Sequence, residues 1–96
     1  MKMLVIVYSD AVDEVMINAF KKSGIHGYIK WKETLGEGTE TEPKLESIAG
    51  QVKNNVLAVV VEDKAALKIS ETIKKLKSDH PQGGIKTFIL QVEETI

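Results

Sequence analysis

The chain has no cysteine in its 96 residues, which excludes disulfides, thiolate zinc sites and cysteine nucleophiles and is compatible with a reducing compartment. It also lacks a bias of charge: 13 Lys and Arg against 14 Asp and Glu leave a net charge of −1. The broad positive field of a nonspecific nucleic-acid binder is therefore missing, and nucleic acid is not an expected partner. No run approaches the ~20 apolar residues that a membrane span needs. The start, Met1-Lys2-Met3-Leu4-Val5-Ile6-Val7-Tyr8, is too short for a secretory h-region and meets Ser9-Asp10 without a small-residue cleavage pattern. It reads as a strand, and the protein is expected in the cytoplasm. His26 and His80 stand apart from any ligand spacing, so no metal site is expected. No G-x-S-x-G surrounds any serine and no acid–base pair is visible, so the chain is read as no enzyme.

What is present is a 43% hydrophobic content, enough for one small domain over residues 1–96 with a marginal core that oligomerisation would help. Met3 to Tyr8 is a continuous Val- and Ile-rich run, the pattern of a central strand buried on both faces or nearly so. Asp10 is placed to cap a helix in which Val12, Val15, Met16, Ala19 and Phe20 share one stripe, and Ser23-Gly24 ends it. From Tyr28 to Leu35, Ile29, Trp31 and Glu33 alternate with Lys30, Lys32 and Thr34 as in a second strand. Residues 36–54 lose all periodicity and read as a long working loop. Val56 to Val61 is a third strand; Asp63 caps a helix with Ala66, Ile69, Ile73 and Leu76 buried; Thr87 to Val92 is the fourth strand.

Strand, helix, strand, strand, helix, strand is the α+β, ferredoxin-like βαββαβ order: an antiparallel four-stranded sheet with two helices on one face. Its other face is left bare, and with Trp31 on a half-polar strand the expectation is a subunit interface. The stretch Glu33 to Glu46 carries five glutamates and one lysine, and Lys64 to Lys77 five lysines and one glutamate. Both are ordinarily solvated surfaces, and the functional alternative is a complementary contact between protomers.

The residues most suited to a ligand are glycines and a lysine. Gly83 and Gly84 allow the backbone to bend tightly and approach a ligand, and Lys86 supplies a cation at the edge of that bend, an arrangement that can hold a phosphate. Glycine pairs also mark plain turns, and the segment matches no Walker motif. Gly36 and Gly38 form a second corner, without the third glycine and helix of a dinucleotide fingerprint.

Lys86-Thr87-Phe88-Ile89-Leu90-Gln91-Val92-Glu93-Glu94-Thr95-Ile96, Gly24-Ile25-His26-Gly27, Gly36-Glu37-Gly38 and Val60-Val61-Glu62-Asp63 together resemble the PII signal-transduction superfamily over nearly the whole chain. The resemblance implies a homotrimer with effector clefts between subunits, lined by Gly36 and Gly38 at the loop base and by Gly83, Gly84 and Lys86 facing phosphates. It implies an adenine nucleotide (ATP, ADP or AMP) or another small anion as effector. It also implies a partner, a membrane transporter or a metabolic enzyme, addressed through residues 39–54. The chain departs from the family pattern in stopping at Ile96 before a basic arginine-rich segment, in having no tyrosine from 39 to 54, and in Ala58 where the family usually places a glutamate. It is therefore read as PII-like, with nitrogen sensing itself unsupported. The alternatives are a CutA-like trimer linked to metal tolerance and a small enzyme on a ferredoxin-like scaffold.

Overall fold

Successive side chains of a strand point to opposite faces, which gives the sheet two surfaces, and stripes with a period near 3.6 lay the helices on one of them. The computed structural model describes residues 1–36 and 52–96. Its elements in chain order are β1 (Lys2–Ser9), a single 3₁₀ turn (Asp10–Val12), α1 (Asp13–Lys22), β2 (Ile29–Gly36), β3 (Val52–Val61), α2 (Asp63–Asp79) and β4 (Lys86–Gln91). The sheet order is β2-β3-β1-β4 and every neighbouring pair is antiparallel. This is the expected ferredoxin-like α+β arrangement.

Leu4, Ile6 and Tyr8 of β1 lie in register with Val59, Leu57 and Asn55 of β3, and all six are buried. Against them pack Met16 and Phe20 of α1, Ala66, Ile69, Ile73 and Leu76 of α2, and Ile85. Each large side chain of this layer contributes about 1.5–3 kcal/mol when buried. The four core positions expected on α2 are those observed, whereas Val15 of α1 is left exposed and Ile17 packs instead at the core margin.

The odd residues of β1 correct the expectation of a strand buried on both faces. Met3, Val5 and Val7 are only half-buried, because both helices sit on the opposite side. In register with them on the open face are Val60, Ala58 and Val56 of β3 and Leu90, Phe88 and Lys86 of β4, with Ile29 and Trp31 beyond β3 on β2. Ile29, Trp31, Val60, Phe88 and Leu90 are each more than 40% exposed, so this apolar surface is continuous across all four strands.

Both expected helix caps fall elsewhere. The 3₁₀ turn moves the cap position to Ser9, whose hydroxyl accepts from the Ala11 amide at 3.3 Å, and the Asp10 carboxylate turns to Asn55. On α2 the cap residue is Glu62, which makes no side-chain capping bond. Asp63 is already helical and pairs with the Met1 amine at 2.8 Å, which holds its carboxyl below the usual range.

β3 starts at Val52, four residues before the expected Val56, and β2 continues through Gly36. Residues 36 and 52–54, assigned from the sequence to the long loop, thus pair as strand at its base. The register of β2 slips between Trp31, opposite Val56, and Thr34, opposite Asn54, so that Lys32 and Glu33 together face Asn55. This one-residue bulge puts Thr34, and not Glu33, on the face of Trp31. Glu33 takes φ +55°, a left-handed conformation that costs a residue with a Cβ roughly 1–2 kcal/mol. Glu33→Gly is therefore expected to raise stability by about 0.5–1 kcal/mol after the larger unfolded-state entropy of glycine is set against the relief. Urea denaturation of the two proteins measures the difference; a less stable variant would show that the Glu33 side chain itself stabilises the bulge.

Candidate functional site

Antiparallel pairing gathers the end of β1, the 3₁₀ turn, the end of β2, the start of β3 and the start of β4 at one end of the sheet. The turn before β4 is locked to β1 here. The Ser9 amide donates to the Gly83 carbonyl at 2.8 Å, and the Gly83 amide donates to the His80 carbonyl at 2.9 Å. A Cβ on Gly83 would lie 3.1 Å from that His80 oxygen and 3.3 Å from Val12 Cγ2, so any larger residue has to displace the turn or the 3₁₀ segment by a few tenths of an ångström. Gly84 has φ +60°, a left-handed conformation that glycine adopts without the cost a Cβ brings. Lys86 follows as the first residue of β4, exposed on the open face opposite Val7.

Gly83, Gly84 and Lys86 are thus neighbours, while Gly36 ends β2 at the other edge of the sheet, opposite Val52. Three interstrand spacings, roughly 14 Å, separate those edges. One protomer does not bring Gly36 together with Gly83, Gly84 and Lys86. Gly38 and the rest of the expected working loop up to residue 51 lie outside the described residues.

Between the two corners sits a polar cluster that the sequence reading missed. Tyr8 donates its hydroxyl to Asp13 Oδ1 at 2.6 Å, Lys30 Nζ reaches Asp13 Oδ2 at 3.0 Å, and Asn55 Nδ2 donates to Asp10 Oδ1 at 2.9 Å and Asp13 Oδ1 at 3.0 Å. Burial and the Asp13 carboxylate beside it push the Tyr8 hydroxyl far up. Burial also works against the Asp13 charge, but hydrogen bonds from Tyr8, Lys30 and Asn55 and the charge of Lys30 outweigh it and hold the carboxyl below its ordinary value. The one sequence signal was parity: Asn55 falls in step with the buried Leu57 and Val59, as does Tyr8 with Leu4 and Ile6.

The other end of the sheet carries an open groove of about 490 Å³ along Ser23 to Gly27, Val59 to Glu62, Met1 and Ala65. It contains His26 but none of the candidate ligand residues. Among the described residues no three His, Asp or Glu side chains come together in a metal-binding arrangement. No helix among them is long and apolar enough to cross a membrane.

An antiparallel β2-β3-β1-β4 sheet with two helices on one face, and a glycine turn leading into β4, defines a ferredoxin-like α+β protein. The family model of nitrogen regulatory protein P-II matches residues 1–96, and the chain belongs to that family. Among solved structures it is similar to CPII, a nitrogen regulatory PII-like protein from Thiomonas intermedia K12 bound to ADP, AMP and bicarbonate. The identity is 18% and the TM-score 0.68, over 99% of this chain and 94% of that one. It is also similar to a PII-like signalling protein from Thermus thermophilus at 20% identity and TM-score 0.67, over 95% of this chain and 84% of that one. The apo form of CPII is similar at 17% identity and TM-score 0.65, over 95% of this chain and 89% of that one. No curated protein sequence matches.

Proposed function

We propose that the protein is a homotrimeric regulator that binds an adenine nucleotide or another small anion in clefts between its subunits and passes the bound state to a partner protein through the segment beyond Gly36. The observation that carries this reading is the placement of Gly36 and of the Gly83-Gly84-Lys86 turn: same end of the sheet, opposite edges, with a continuous apolar face between them. Burial of that face against two further copies sets the β2 edge of one subunit against the β4 edge of the next, and Gly36 and Gly38 then meet Gly83, Gly84 and Lys86 across the boundary. The adenine nucleotides in CPII are the reason to test that ligand class first, and its bicarbonate is the reason to test a small anion beside it.

Lys86 is the cation assigned to the phosphates. One charge-assisted hydrogen bond is worth about 1.5–3 kcal/mol, so Lys86→Ala is expected to weaken binding by roughly ten- to a hundredfold. The fold is expected to survive, since Lys86 is exposed. Calorimetric titration of wild type and variant with ATP, ADP and AMP, each with and without bicarbonate, measures it. Absence of binding at millimolar concentration would remove the nucleotide reading; equal binding by both proteins would remove Lys86 from the site.

A further inference from the structure

The bulge in β2 leaves the Glu33 amide facing β3 without a strand carbonyl in register. A backbone N–H in that position needs another acceptor. Asn55 supplies it: its Oδ1 accepts from the Glu33 amide at 3.0 Å, and its side chain is wholly buried. Its Nδ2 donates at 2.9 and 3.0 Å to Asp10 and Asp13. Carboxylates only accept, and a backbone N–H only donates, so the amide has one permitted orientation, with nitrogen toward the β1–α1 turn and oxygen toward β2.

We infer that Asn55 is a positioning residue that couples the β1–α1 turn to the exit of β2. The turn at Asp10 to Asp13 is the same segment that packs on Gly83 through Val12 and holds the Gly83 carbonyl through the preceding Ser9 amide. Glu33 stands three residues before Gly36, where β2 ends. A shift of Asp10 or Asp13 withdraws the acceptors that orient the Asn55 amide, frees the Glu33 amide, and lets Glu33 leave its left-handed conformation. The direction in which β2 delivers the chain at Gly36 changes with it, because a bulge sets the local bend and twist of its strand. The structure holds the bulge in one arrangement, and coupling between separate sites requires a second in which it is released. The coupling stands on this geometry alone and does not depend on the identity of any ligand.

Residue-resolved amide hydrogen exchange on the full chain tests it, with the protection of Glu33 compared with that of the core amides Ile6 and Leu57. In Asn55→Ala the Glu33 amide is expected to lose at least tenfold in protection beyond any loss shared by the core. In Asp10→Ala, a change in the turn at a residue that makes no side-chain bond to β2, the expected selective loss is about three- to tenfold. Glu33 protection unchanged in Asp10→Ala, or a loss shared equally by Ile6 and Leu57, would overturn the coupling. Should Asn55→Ala fail to fold, Asp10→Ala and Asp13→Asn carry the same comparison.

Discussion

Phe88→Asp is expected to convert the proposed trimer to a folded 10.6 kDa protomer. Phe88 lies on the open face of the sheet beside Val5 and is about half exposed in the protomer, so the substitution removes little from the core beneath. In the proposed assembly that face is closed, and an aspartate there is a carboxylate withdrawn from water without a cationic partner. The penalty is several kcal/mol per ion even after relaxation, and it is incurred at three equivalent positions in a closed threefold assembly. Sedimentation equilibrium at micromolar concentration measures the mass, and far-ultraviolet circular dichroism shows whether the protomer stays folded. Wild type sedimenting as a monomer would dismiss the open face as an interface; a trimeric variant would place the contact elsewhere on the molecule.

Asp13→Ala is expected to cost about 2–3 kcal/mol at neutral pH. The carboxylate accepts from Tyr8, Lys30 and Asn55, so its removal strands a buried tyrosine hydroxyl and takes one acceptor from a buried amide. Leaving a buried donor unsatisfied costs about 1–3 kcal/mol. The Lys30 pair adds less than a buried ion pair would, because both side chains remain about one-fifth exposed and water screens them. The pH dependence follows from the direction of the shift. A carboxyl held below its ordinary 3.8 in the folded state adds stability above that pH, and the contribution is lost as pH falls through the lower folded value. Wild type and variant should therefore differ in urea midpoint at pH 7 and converge as the pH drops below 3.8. A constant difference down to pH 2 would mean that packing at Asp13, and not its charge, is what the fold requires.

Much of the architecture was legible in the chain because burial writes itself as periodicity. The stripe Ala66, Ile69, Ile73, Leu76 reported a single surface meeting a single neighbour, the unbroken apolar run of β1 reported a strand at the centre of the sheet, and element order then restricted the topology. The boundaries that were misread are those where no such surface exists. Val52 to Asn54 belong to β3, yet their polar residues beside Gln51 read as loop. The caps were misassigned because Asp10 and Asp63 have the right chemistry at the right spacing, and their carboxylates are engaged by Asn55 and the Met1 amine, partners distant in sequence.

By itself the sequence determined the ferredoxin-like order and the buried stripe of α2, both of which depend on local spacing and on side-chain type. Only the tertiary structure decided that Glu33 is bulged and left-handed, that Asn55 is buried between two carboxylates and a backbone amide, and that Gly36 and Lys86 stand on opposite edges of one sheet. Those facts depend on which strands become neighbours and on a one-residue bulge, and a bulge is defined by pairing with a partner strand far along the chain, which the local pattern of one segment does not encode.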